Sequence, residues 1–288
     1  MQLIGGLDTW PACDQMIWRA ELPTISPDVM FWFALATKMA ITALFVTLST
    51  IIAEKLGAVV GALVATLPVS AGPVYVFLAL DHGPTFISAS AVASLAMNAA
   101  TAVFVTAYVR MAQRRSLWIS VSLAFIAWLA TTLVLASVRW TALSASVVNL
   151  SVFALCLWIV KPFRLVPIPP TTRPWYDFLI RASMVSLLVG AVVTLSFQIG
   201  PVGSGVLAVF PVIYTSIMVI LHPRVGGPAT AAVLANAILG LAGFGAALLT
   251  LHLAAVPLGS ILALIVALGV SVVWNAVIYA TRRHQSLA

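Results

Sequence analysis

The sequence predicts an all-α, polytopic membrane protein: nine transmembrane helices, laid out as two inverted four-helix repeats joined by a central helix (4+1+4). Three observations predict it. Of 288 residues, 62% are hydrophobic and only 7% charged, with a mean hydropathy of +1.14, against roughly 25% charged in ordinary globular domains. Apolar runs long enough to cross hydrocarbon recur along the chain. Finally, one unusual stretch occurs twice. Gly57 to Leu80 is apolar but interrupted by Pro68 and Pro73, with Ser70 and Gly72 beside them; Gly200 to Leu221 is apolar and interrupted by Pro211.

The elements follow in order. Residues 1–29 form an acidic tail carrying Asp8, Asp14, Glu21 and Asp28 against Arg19, with no basic segment or apolar core of the kind a cleavable leader needs. Nine spans are expected at about 30–53, 57–80, 85–109, 117–138, 141–160, 179–198, 201–221, 227–250 and 257–280. Charge or turn residues mark the joins, as at Glu54-Lys55, Asp81-His82-Gly83-Pro84 and His222-Pro223-Arg224. Lys161 to Asp177 holds five prolines and reads as a semi-extended strap. The chain thus divides into an external tail (1–29), a first repeat (30–138), a linker helix with the Pro-rich strap (139–178), and a second repeat with a basic end (179–288).

Lys and Arg distribute unevenly about these spans. Eleven fall on the side reached after odd-numbered spans and three on the other. Positive-inside topology then puts the N-terminus outside and the C-terminus in the cytoplasm. The net charge of +7 is read as a topology signal, so the lipid bilayer is the expected partner and nucleic acid is not. Cys13 and Cys156 are far apart in kind and place, which implies no disulfide framework.

A shift of 143 residues superposes Gly57 on Gly200, Pro68 on Pro211, Gly83 on Gly226, Arg139 on Arg282 and Lys38 on Arg181. An odd number of crossings between the copies inverts one relative to the other. Each half carries a basic residue early in its first helix and, in its second, a glycine-led apolar run that ends in [LF]-P. Those runs are Ala62 to Pro68, with Gly61 before it, and Gly205 to Pro211. In these features each half resembles the GlpM-like family of small four-helix bacterial inner-membrane proteins. The resemblance implies a four-span unit and bacterial inner-membrane placement, and carries no biochemical activity. Duplication, the lone fifth span and the acidic tail depart from that pattern.

The candidate site is the meeting of the two broken helices. A proline inside a helix removes a donor and frees a carbonyl, and hydrocarbon offers no replacement partner. Thr66, Ser70, Tyr214 and Thr215 are expected to supply it. The substrate-binding candidates are Pro68, Ser70, Gly72, Asn98, Pro211, Tyr214, Thr215 and Asn236, the two asparagines each lying on the span after a broken helix. Packing kinks and interhelical amide bonds, Asn149 included, are the plainer alternative. Lys38 and Arg181, with the junction carboxylates Glu54 and Asp81, are gating candidates; snorkelling is the alternative for the two cations.

No carboxylate falls in the middle of any span. That disfavours proton- or sodium-driven pumping and favours a neutral or anionic solute. His82, His222, His252 and His284 sit at junctions or the tail without metal-ligand spacing. Gly203-Ser204-Gly205 lacks the nucleophile-elbow pattern. The expectation is a secondary transporter or facilitator of a small neutral or anionic solute, working by alternating access around the paired broken helices, with no catalytic residues, metal or cofactor. The rival is a non-transporting scaffold or accessory subunit for a lipid or envelope process. Gly57-x-x-x-Gly61 and the Gly240, Gly243, Gly245 cluster imply close helix contact, within the bundle or in a homodimer.

Overall fold

The computed structural model describes residues 27–55, 70–167 and 176–285, and every regular element among them is helical. In chain order these are α1 (Pro27–Lys55), α2 (Ala71–Asp81), α3 (Pro84–Met111), α4 (Leu117–Ala136), α5 (Ala142–Val160), a single 3-10 turn at Lys161–Phe163, α6 (Tyr176–Ala208), α7 (Val212–Leu258) and α8 (Ser260–Gln285). Six helical runs among the described residues are long and apolar enough to cross a bilayer. The chain is a multi-pass membrane protein by that measure.

The described residues do not separate into nine helices. Most of the predicted second span, with Pro68, lies outside them. The predicted joins after Gln198 and Leu221 are not extended loops either: two helices abut at each, with non-helical backbone at Gly200 (φ 66°, ψ −171°) and Gly226 (φ 82°, ψ 165°). Positive φ turns the backbone sharply, and only glycine enters that region cheaply. Pro201 and Pro228 follow, each at the start of the next helical arm, where a missing N–H costs no bond. Tyr176 to Leu258 is one 83-residue run by hydropathy. Laid straight it would reach about 125 Å at 1.5 Å per residue, against hydrocarbon about 30 Å thick.

Contacts along α3 show how this run doubles back. Ser94 Oγ donates to the Gly205 carbonyl (2.7 Å), Thr101 Oγ1 to the Val209 carbonyl (3.0 Å), and the Tyr108 hydroxyl meets His222 Nδ1 (2.7 Å). Residue numbers rise together, so the 205–222 segment runs parallel to α3. Ser88 Oγ meets His252 Nδ1 (2.8 Å), Asn98 Nδ2 donates to the Leu241 carbonyl (3.1 Å), and a Cβ on Gly227 would strike the Ala112 carbonyl. Here the numbers run oppositely, so 227–252 is antiparallel to α3. The chain reverses at Gly226. It also reverses at Gly200, because the first arm of α6 runs from Asp177, paired with Arg224, to Ser196, bonded to His82.

The bundle therefore has two distinguishable ends. One carries Lys38, Asp81, His82 and His252; the other carries Arg110, Arg114, Arg115, Arg164 and Arg224. α3 is the axis of the packing, buried along nearly its whole length. Around it the apolar core splits in two. Val74, Leu78, Ile87 and Leu251 pack toward the His82 end; Phe104, Met218, Leu234 and Ile238 pack toward the basic end. Between them lies a polar band, where Asn149 of α5 donates to the Leu95 carbonyl (2.8 Å) and a Cβ on Gly245 would press on both Asn149 and Asn98. Gly243 lies as tightly against Trp274 of α8. The Gly240 cluster thus makes its close contacts inside the bundle.

α3 supplies the bonds that the break at Pro211 requires. Thr66 is outside the described residues, and Thr215 Oγ1 bonds its own turn at the Pro211 carbonyl (2.8 Å). The Gly205 and Val209 carbonyls are met by Ser94 and Thr101 instead. Thr101→Val keeps the shape and deletes one bond. It is expected to cost about 1 kcal/mol, read as a lower melting midpoint in detergent. An unchanged midpoint would show that the Val209 carbonyl has another partner.

Candidate functional site

Helix 201–225 is interrupted in the middle. Helical structure stops at Ala208 and restarts at Val212, with Pro211 at φ −77°, ψ 47°. Phe210 N–H bonds back to Leu207, and Val212 N–H folds onto the Phe210 carbonyl (2.7 Å). The restart leaves the leading amides of the new turn, at Ile213 and Tyr214, without intrahelical acceptors and gives that end a partial positive charge.

A cavity of about 280 Å³ opens beside this interruption. Ser70, Asn98, Pro211, Tyr214 and Asn236 all contribute to its wall, so the structure brings together five of the eight substrate-binding candidates. Pro68 is outside the described residues. Thr215 is buried behind the break and turned to its own helix. Gly72 lies on another surface, a wholly apolar groove described below. α8 brings Asn275 and Tyr279 to the cavity, and α3 adds Thr101; none of these was expected from sequence. A spacing signal for α3 did exist, since Ser90, Ser94, Asn98 and Thr101 repeat at helical intervals on one face.

The polar groups of this wall are unequally satisfied. Asn236 Nδ2 donates to the Ala232 carbonyl (2.9 Å) and to the Arg164 carbonyl (3.2 Å), and Asn275 Nδ2 to the Ser271 carbonyl (2.8 Å). Asn98 is completely buried, and its amide is oriented by the bond from Nδ2 to Leu241. That bond leaves Oδ1 with no hydrogen-bond partner. An unmet buried acceptor costs roughly 1–3 kcal/mol. Among the described residues no charged side chain lines the cavity, and no three His, Cys, Asp or Glu side chains come together.

Two ion pairs stand at the ends of the bundle. Lys38 Nζ lies 2.6 Å from both carboxylate oxygens of Asp81, linking α1 to the end of α2. Arg224 makes a two-pronged contact with Asp177, both arms 2.7 Å, linking α6 to the end of the first arm of α7. Of the gating candidates, Lys38 and Asp81 are thus joined. The Glu54 side chain is outside the described part of the structure. Arg181 lies one turn beyond Asp177, and it is Arg224 that carries the pairing at the basic end.

Beside the first pair, the His82 ring stacks on Phe86 (3.8 Å between centroids, 5° between planes), leans on Phe197 (4.5 Å), and meets Ser196 Oγ (2.9 Å). Burial holds the imidazole below the ordinary histidine range; the Asp81 carboxylate pulls upward and the Lys38 ammonium downward. A base with a lowered folded-state pKa contributes stability that is present above its unfolded pKa of about 6.5 and lost as pH falls below it. The melting midpoint is expected to decline between about pH 7.5 and pH 5.5, less so in His82→Gln. An equal decline in that variant would remove His82 as the cause.

Scans of the chain against protein-family models, curated proteins and solved structures find no match in any of the three.

Proposed function

We propose that the chain is a transporter or facilitator of a small neutral or anionic solute, with its site in the cavity at the Pro211 break. The observation that carries this is the cavity itself: it lies between the two charged ends of the bundle, beside an interrupted helix, with no charged side chain among its described lining, and it is lined by Asn98, whose oxygen has no partner. Side chains would fill this space in a bundle that served only as a scaffold.

Three features support the finer architecture of two inverted four-helix units around a central helix. Asn98 and Leu241, hydrogen-bonded to each other, are 143 residues apart, which is the spacing of the repeat. A residue touching its own counterpart lies on the axis relating the copies. Second, α2 ends at the His82 end, whereas its counterpart 214–224 ends at the basic end, so matching segments run in opposite directions. Third, each ion pair has one member at an equivalent position with the charge exchanged: Asp81 and Arg224 are also 143 apart, while their partners Lys38 and Asp177 are 139 apart, about one helical turn short of the repeat. On this reading Gly200 and Gly226 are turns, and the chain makes the nine passes of the 4+1+4 plan. The basic end faces the cytoplasm of a bacterial inner membrane on this reading.

The test is stopped-flow swelling of proteoliposomes in a panel of uncharged and anionic solutes. At least one solute should enter faster than into empty liposomes, and Asn98→Leu should return its rate to the empty-liposome value. Empty-liposome rates for every solute, with the protein folded, would favour the accessory-subunit reading.

A further inference from the structure

The polar cavity does not stand alone. On the other side of Ala71 and Phe244 lies a groove of about 460 Å³, and these two residues belong to the walls of both. The groove is formed by α1, α2, α7 and α8. Its rim residues Ile41, Phe45, Val76, Ile265 and Leu268 are all exposed on the outside of the bundle, so it opens sideways toward hydrocarbon. The hydroxyls among its described lining are already engaged: Thr42 Oγ1 donates to the Lys38 carbonyl, and the Tyr75 hydroxyl is hydrogen-bonded to Ser94 Oγ (2.6 Å). At Gly72 an added Cβ would meet nothing within 4 Å. Among the described residues that is open space, lined for an alkyl chain.

We propose that cavity and groove form one bipartite site for an uncharged, single-chain amphiphile. Its head group, carrying a hydroxyl or amide N–H, donates to Asn98 Oδ1, and its chain passes Phe244 and Ala71 into the groove. The inference rests on reading the cavity as a substrate site and narrows the solute to a class. Charge is disfavoured because no described side chain in either wall neutralises it, and burying an unpaired ion is far costlier than burying a hydrogen-bonded hydroxyl. A purely apolar ligand leaves Asn98 Oδ1 unmet. A two-chain phospholipid is disfavoured by its charged head group, which no described side chain in either wall neutralises. The exposed rim of the groove lets the chain reach hydrocarbon while the head group stays in the polar cavity.

The experiment measures saturable binding of radiolabelled 1-decanoylglycerol to the full-length protein in lipid nanodiscs. Unlabelled 1-decanoylglycerol, decanoate, decane and the disc phospholipid serve as competitors. The neutral-headed competitor should displace the probe at least about tenfold better than the charged or headless one, a gap of about 1.4 kcal/mol. Gly72→Phe, which fills the groove without a collision at Cβ, should weaken binding by a similar factor while leaving the melting midpoint unchanged or higher. Asn98→Leu should erase the preference for 1-decanoylglycerol over decane; if that variant does not fold, the competitor series and Gly72→Phe decide. Equal competition by decanoate or phospholipid, or unaltered binding to Gly72→Phe, overturns the proposal. Uptake of short neutral solutes without decanoylglycerol binding would also sink it while sparing the transport reading. Binding without uptake of any solute would do the reverse.

Discussion

Lys38→Glu is expected to cost the fold about 2 kcal/mol, and the exchange Lys38→Asp with Asp81→Lys to restore most of it. Both side chains are only about a fifth exposed (19% and 18%), and the ammonium touches both carboxylate oxygens. Breaking a fully buried pair costs about 3–5 kcal/mol, while exposed pairs contribute about 0–1 kcal/mol. A mostly buried pair at the end of a bundle falls between those limits. Lys38 also lies 5.9 Å from the centre of the Phe77 ring, so Lys38→Gln should lose slightly more than the ion pair alone. Thermal unfolding in one detergent at fixed pH reads all three variants. A double exchange no better than the single reversal would show that α1 and α2 are held by something other than this pair.

Gly205→Leu is expected to prevent folding. A Cβ there points at the backbone of α3, colliding with the Ser90 carbonyl and lying 2.9 Å from Ala93 Cβ and 3.1 Å from Ser94 N. Helix α3 is enclosed on all sides and cannot retreat. The substitution would also part Ser94 Oγ from the Gly205 carbonyl. Overpacking an ordinary core costs about 1–3 kcal/mol; a collision with fixed backbone exceeds that, leaving little or no monodisperse protein after extraction. Gly269→Ala on α8 is the matched control. Nothing lies within 4 Å of its Cβ, and alanine is the better helix former by about 0.5–1 kcal/mol. It should match or exceed the parent. Equal yields from Gly205→Leu and Gly269→Ala would mean that the 205–222 segment does not pack on α3 as drawn.

Much of the architecture was legible because it depends on residue types with fixed backbone consequences. Pro211 lacks an N–H wherever it sits, so a break inside 201–221 could be read directly, and Gly200-Pro201 and Gly226 marked the turns. What was not legible is rotation about helix axes. One residue along α7 turns a side chain by about 100°, which sends Tyr214 to the cavity and Thr215 back onto Pro211. The same rotation puts Ser70 in the cavity wall and Gly72 in the groove. Arg224 escaped notice for a different reason. In sequence it belongs to a basic join, and its partner Asp177 sits 47 residues earlier at the start of α6; only the reversal at Gly200 brings the two together.

The central claim is that the Pro211 break borders a water-accessible site entered from one membrane face at a time. Tyr214→Cys, in a background with Cys13 and Cys156 replaced by serine, tests it with a membrane-impermeant methanethiosulfonate applied to right-side-out and inverted vesicles. The account predicts modification from one face and protection from the other, with a bound ligand slowing the reaction. A thiol unreactive from both faces, yet fully labelled once the protein is unfolded in detergent, would contradict it.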